Sequence, residues 1–216
     1  MAPFITFEGI EGSGKTTQIQ RLTKLLHQQG HSVLQTREPG GCSIADQIRG
    51  ILLHPDNAEM DSRAELLLYA AARAQHIEQI VRPALNDNKV VICDRFTDAT
   101  IAYQGDGRGL DRDLISQLNH LAAGNCRPGL TLLFDLPVET GLSRALQRES
   151  EQQNCTEGRF EREKTEFHQR IRNGYLQLAK SEPQRVKIIQ ADRSPEQVFE
   201  QVRGFVDSFL QAEDEK

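Results

Sequence analysis

No apolar run in this 216-residue chain is long enough to span a bilayer. Residues 1–7 carry no basic flank and lead straight into a strand pattern, so no signal peptide is read there. The four cysteines, Cys42, Cys93, Cys126 and Cys155, show neither a C-x-x-C pair nor zinc spacing; in a cytosolic chain they read as reduced, structural thiols. Basic residues are not in excess either. A net charge of −5 argues against generic binding to nucleic acid, so any anion must be held by a local cluster of cations. Repeats, low-complexity tracts and the N-K-x-D segment by which GTP switches read guanine are all absent. The length suits one α/β domain over 1–216, at most with a mobile insert.

What is there centres on Gly9-Ile10-Glu11-Gly12-Ser13-Gly14-Lys15-Thr16, which matches G-x-x-x-x-G-K-[ST]. An apolar run, Phe4 to Phe7, precedes it, and Ile19, Leu22, Leu25 and Leu26 follow at helical spacing. Strand, glycine-rich turn and helix together make a nucleotide triphosphate site. The glycines let backbone N–H groups converge on phosphate oxygens, and the helix N-terminus adds partial positive charge. Lys15 supplies a full charge to the β/γ-phosphates and Thr16 a hydroxyl to Mg²⁺. The phosphate-site residues are therefore Gly9, Glu11, Gly12, Ser13, Gly14, Lys15, Thr16 and Thr17.

Four further strands are expected, at 32–36, 89–93, 130–135 and 185–190, alternating with helices. The expected fold is therefore α/β: a three-layer α/β/α sandwich with a five-stranded parallel sheet. Ser62-Arg63-Ala64-Glu65 reads as a capping box opening a helix to about Val81, before Pro83, with Leu67, Ala70, Ala71, Ala74, Ile77 and Val81 inward. Asp111 caps a helix expected to turn Leu114, Leu118 and Leu121 inward. Tyr69 and Arg73, four apart, share a helix side and could grip a carbonyl-bearing base. Helix geometry alone favours the plainer reading, a partly buried Tyr beside a solvated Arg. Asp94-Arg95 stands at the C-terminal end of a central strand, where an Asp can hold Mg²⁺ and an Arg a phosphate.

Two helices flank the polar stretch 149–158, and the segment 144–160 reads as a mobile helical lid carrying Arg144, Arg148 and Arg159. Phosphoryl transfer needs such charge at the transferring group, together with exclusion of water. Pairing of these arginines with Glu149, Glu151 and Glu163 on a solvated face is the competing reading. A phosphate loop on such a sheet serves kinases, motors and switches. The lid, with a second cluster of Arg37, Arg73 and Arg95, favours a kinase with a second anionic substrate. No residue is placed clearly as a general base. A phosphomonoester acceptor needs none, because its second pKa is about 6.

Over nearly its whole length the chain resembles the thymidylate kinases. The resemblance rests on Phe7-Glu8-Gly9, Arg37-Glu38-Pro39-Gly40-Gly41, the helix Leu66–His76, Asp94-Arg95-Phe96, Tyr103-Gln104-Gly105 and Arg159-Phe160-Glu161. It implies transfer of phosphate from ATP, with Mg²⁺, to dTMP by a cytoplasmic homodimer. Arg37 and Arg95 would hold the dTMP phosphate, and Asp94 would sit between the nucleotides near Mg²⁺. Tyr69 would stack on thymine, where the family usually carries Phe. Arg73 would bond a base carbonyl, Thr100 or Gln104 the base edge, and Tyr103 would pack at the sugar. Glu11 would contact the 3′-hydroxyl. With Gly12 in the loop and arginines in the lid, Arg148 or Arg159 would act in transfer, as in the bacterial-type arrangement. A kinase of another nucleotide or of a small metabolite would share the loop, lid and sheet and differ only in the acceptor pocket.

Overall fold

The computed structural model describes residues 2–151 and 158–214, side chains excepted at 148–151 and 214. Five strands, β1 (Phe4–Glu8), β2 (Val33–Arg37), β3 (Val90–Asp94), β4 (Leu130–Asp135) and β5 (Val186–Gln190), form one sheet. Its order is β2-β3-β1-β4-β5 and every pairing is parallel. Parallel neighbours need crossovers, and helices cover both faces. On one face Ile5 and Phe7 pack with Ile19, Leu22 and Leu26 of α1 (Lys15–Gln28) and with Val202 and Val206 of α9 (Pro195–Asp214). On the other, Phe4, Val91 and Cys93 meet Ile77 and Val81. Alternate strand residues thus serve opposite faces, and each fully buried aliphatic side chain stabilises by roughly 1.5–3 kcal/mol.

The remaining helices are α2 (Ser43–Leu53), α3 (Ser62–His76), α4 (Arg82–Asn86), α5 (Thr97–Thr100), α6 (Arg112–Ala123), α7 (Val138–Glu151) and α8 (Thr165–Ser181). The expected strands are all present, but helix rotation is not as expected. α3 buries Glu65, Leu66, Ala72, Arg73 and His76, while Leu67 is exposed. α6 buries Ile115, Asn119 and Ala123 and leaves Leu114 and Leu121 outside. In both helices polar side chains with distant partners face inward, so apolar spacing misreads the buried side.

The capping box at Ser62 does not form. Asp61 caps α3 by accepting from the Arg63 amide at 3.0 Å, which leaves Glu65 free to turn inward. Nor does Pro83 end the helix. Residues 77–81 form a wider π turn, with the Arg82 amide bonded to the Ile77 carbonyl, and α4 continues through the proline. The wider turn moves the carbonyl four residues back out of the way of the ring.

Candidate active site

β1 delivers the chain into the loop Gly9–Gly14, and α1 starts at Lys15. Gly12 sits at φ 70°, and a Cβ there would strike the carbonyl oxygen of Gly141 in α7. Any side chain at position 12, an arginine included, would push loop and helix apart. Glu11, Gly12, Ser13, Gly14, Lys15, Thr16 and Thr17 line a small cavity that Asp94 and Arg95 complete. Gly9 stands behind it. The Gly9 and Ile10 carbonyls each accept from Lys15 Nζ at 3.1 Å, and Ser13 Oγ does so at 3.2 Å. Burial, and then repulsion from Arg95, bring the Lys15 ammonium down to about 8.

Arg95 is a non-glycine residue at φ 68°, a sparsely populated conformation held by its surroundings. Its amide donates to Phe7 O at 2.9 Å, and the next amide, of Phe96, donates to Glu8 Oε1 at 2.7 Å. Glu8 is fully buried and also accepts from Tyr175 Oη at 2.6 Å. Burial and the neighbouring Asp98 raise the Glu8 carboxyl to about 7, against the opposing pull of Arg95.

A stability signature follows. Between its ordinary 4.5 and about 7, folded Glu8 binds more proton than the unfolded chain, so its contribution is complete below pH 4.5 and is lost as pH rises through 7. Glu8→Gln, which keeps the acceptor for the Phe96 amide, is expected to remove this dependence. Urea denaturation at pH 5 and pH 7.5 should show wild type losing roughly 2–3 kcal/mol relative to the variant. Parallel pH profiles would take Glu8 out of this role.

A second cavity, of about 190 Å³, is lined by Tyr69, Arg73, Arg95, Tyr103, Gln104 and Glu11 among others. Arg73 is only 2 % exposed. It donates to Glu38 Oε2 (2.7 Å), Asn119 Oδ1 (2.7 Å), Phe96 O (3.1 Å) and Thr100 Oγ1 (2.9 Å). Glu38 Oε1 in turn meets His76 Nδ1 at 3.0 Å, and His76 Nε2 meets Thr36 Oγ1 at 2.7 Å. Glu11 takes Arg95 Nη2 at 3.0 Å and the Tyr103 hydroxyl, and the Arg95 guanidinium lies over the Tyr103 ring. Burial alone would raise the Glu11 carboxyl, but Arg95, His168 and Tyr103 outweigh it and hold it well below the usual range.

Several expected site residues stand elsewhere. Arg37, at the end of β2, lines neither cavity; its side chain is 56 % exposed and pairs with Asp46 at 3.4 Å. Thr100 does not line the second cavity; its hydroxyl holds Arg73 behind the wall. Arg159 lines the second cavity, not the loop cavity. Its Nη2 donates to Glu65 Oε2 at 2.6 Å and its Nε to Leu52 O, so in this structure it is part of the wall of the second cavity. Of the expected lid, residues 152–157 and the Arg148 side chain lie outside the described residues.

Sequence reasoning gave no role to Glu38, Arg49, Phe96 or Phe160, all of which line the second cavity. Only Glu38 and the aromatic pair carried a signal, lying inside quoted segments. Among the described residues no cluster of three metal-ligating side chains occurs. Thr16 and Asp94 both line the loop cavity, a hydroxyl and one carboxylate. That donor set suits Mg²⁺, which takes one or two carboxylates and completes its shell with water and substrate phosphate.

A family model described as thymidylate kinase matches residues 7–202. A thymidylate kinase of Syntrophotalea carbinolica is 59 % identical over 202 residues, 94 % of each chain. One from Geotalea uraniireducens is 60 % identical over 189 residues, covering 88 % of this chain and 89 % of its own. The crystal structure of a thymidylate kinase from Ehrlichia chaffeensis superposes with a TM-score of 0.75 at 36 % identity, covering 94 % of this chain and 98 % of that one. With model, relatives and fold in agreement, the chain belongs to the thymidylate kinase family and is an enzyme of the kinase class.

Proposed function

We propose that the enzyme transfers the γ-phosphate of ATP to the 5′-phosphate of dTMP, giving dTDP and ADP. One observation carries this reading: Glu11 and Arg95 line both cavities, so the two sites share a wall. An anion in the loop and an anion in the second cavity would meet at the Arg95 guanidinium. The loop amides and Lys15 hold the donor phosphates, and Arg95 offsets the repulsion between the two anions. Bound at Thr16 and Asp94, Mg²⁺ would neutralise part of the donor's charge. No base is assigned, because the acceptor is already ionised.

In the acceptor cavity Tyr69 faces the base as a partly buried ring, and Arg73 and Gln104 approach its edge. Tyr103 and Glu11, hydrogen-bonded to each other, sit at the sugar. We keep Arg37 as a second ligand of the acceptor phosphate. It is the register neighbour of Asp94, and its exposed pair with Asp46 costs little to break.

We read the chain as one domain, with residues 144–160 closing over the phosphates and Arg148 the remaining lid candidate for transfer. A cytoplasmic setting fits the buried, unbridged thiols Cys42, Cys93 and Cys126. A homodimer is supported by Leu67 on α3 and Leu114 and Leu121 on α6, apolar side chains left outside on two helices that pack together.

A coupled ADP-release assay across nucleoside monophosphates and small phosphorylatable metabolites tests the proposal. We expect ADP release that requires dTMP. Release that is equal without an acceptor, or faster with another one, overturns it.

A further inference from the structure

Glu65 lines neither cavity, yet it is fully buried and collects donors from three side chains on two segments. Its Oε1 takes Gln104 Nε2 at 2.8 Å and Arg108 Nε at 3.3 Å. Its Oε2 takes Arg108 Nη2 at 3.2 Å and Arg159 Nη2 at 2.6 Å. We propose that Glu65 is a specificity-determining positioning residue, which turns the Gln104 amide so that a hydrogen-bond acceptor faces the base. The inference rests on the acceptor being a nucleoside monophosphate held in the second cavity, as proposed above.

The direction of the Gln104 amide follows from its partners. A guanidinium can only donate, and each Glu65 oxygen faces one, so both oxygens are acceptors. The Gln104 atom against Oε1 must then be the NH₂ group. This leaves Gln104 Oε1 without a partner among the described residues, in a side chain that lines the cavity.

Arg73 supplies the complementary group. Four of its five N–H hydrogens are taken by Glu38, Asn119, Phe96 O and Thr100, and one on Nη1 is left. One fixed donor and one fixed acceptor therefore meet the base edge. Thymine and uracil present a carbonyl at position 4 and an N–H at position 3, which match both. Cytosine presents an amino group and a bare nitrogen, which oppose both and leave buried polar groups unpaired.

The test uses the full-length enzyme and its Glu65→Gln variant, with kcat/KM measured for dTMP and dCMP and KM for ATP. An amide at position 65 can donate to Gln104 Oε1 and so permit the reversed orientation. We expect the preference for dTMP over dCMP to fall by about 10-fold in the variant, the size of one neutral hydrogen bond, with KM for ATP unchanged. A purely structural role would lower both acceptors in parallel, and that result overturns the inference. Wild-type enzyme supplies a second measurement should the variant not fold: N3-methylated dTMP, which keeps both carbonyls but lacks the N–H, is expected to bind at least 10-fold more weakly than dTMP. Equal binding overturns the inference. Wild type that turns over dTMP while either of these fails refutes Glu65 alone; wild type that does not accept dTMP refutes the function proposed above.

Discussion

Replacing Lys15 with alanine is expected to lower kcat for phosphoryl transfer by about 10²–10³-fold and to leave the protein folded. The ammonium bonds only the loop that carries it, through two carbonyls and one hydroxyl. Among the described residues no carboxylate forms a salt bridge with it; Asp94, Glu11 and Glu8 act on it only through space, so its removal breaks no direct ion pair. Lys15 itself lines the loop cavity, so water can enter the space its ammonium leaves and meet the freed carbonyls at small cost. Stability should therefore change by little. Catalysis has no such substitute. Charge on the transferring group must be met by a fixed cation, and Lys15, brought to about 8 by burial and by Arg95, regains its proton preference beside a phosphate anion. Steady-state kinetics with a melting curve on the same preparation decides the matter. Near-normal kcat would remove Lys15 from transfer.

Much of the architecture was legible because its signals are local. β3 reads as a buried parallel strand from Val90-Val91-Ile92-Cys93 alone, and the phosphate loop declares itself by spacing between a strand and a helix. Illegible were the features set by partners far away in the chain. Arg73 meets Glu38 across 35 residues and Asn119 across 46; Phe96 meets Glu8 across 88, and Arg159 meets Glu65 across 94. A periodicity argument puts such polar residues outside, so it sent Leu67, Leu114 and Leu121 inward, although Ile77 and Val81 are buried as it expects. Arg159 shows the same limit from the other side: its place after a polar loop suggested a lid cation, whereas Glu65 holds it in the wall of the second cavity.

Arg73 illustrates why the wall of the second cavity needs so many partners. A guanidinium and the Glu38 carboxylate are both taken out of water, and such a pair repays its desolvation only when most of the remaining donors and acceptors are met. His76, Asn119, Thr100 and Phe96 O supply partners for all but one N–H on Arg73 Nη1. The side chain is consequently locked before any substrate arrives, and a locked donor loses no rotamer freedom when it reads a base.

If the wall shared by Glu11 and Arg95 brings the two proposed substrates together, they bind phosphate to phosphate. A compound joining thymidine to adenosine, 5′ to 5′, through a chain of phosphates should then fill both cavities at once. Its second half would bind at an effective concentration in the millimolar range, so we expect a Kd about 10²–10⁴-fold below that of either nucleotide alone. Titration calorimetry gives that constant, and excess ATP and excess dTMP should each displace the compound. Binding no tighter than the better single nucleotide, or displacement by only one of them, would contradict the adjoining sites on which the proposed phosphotransfer rests.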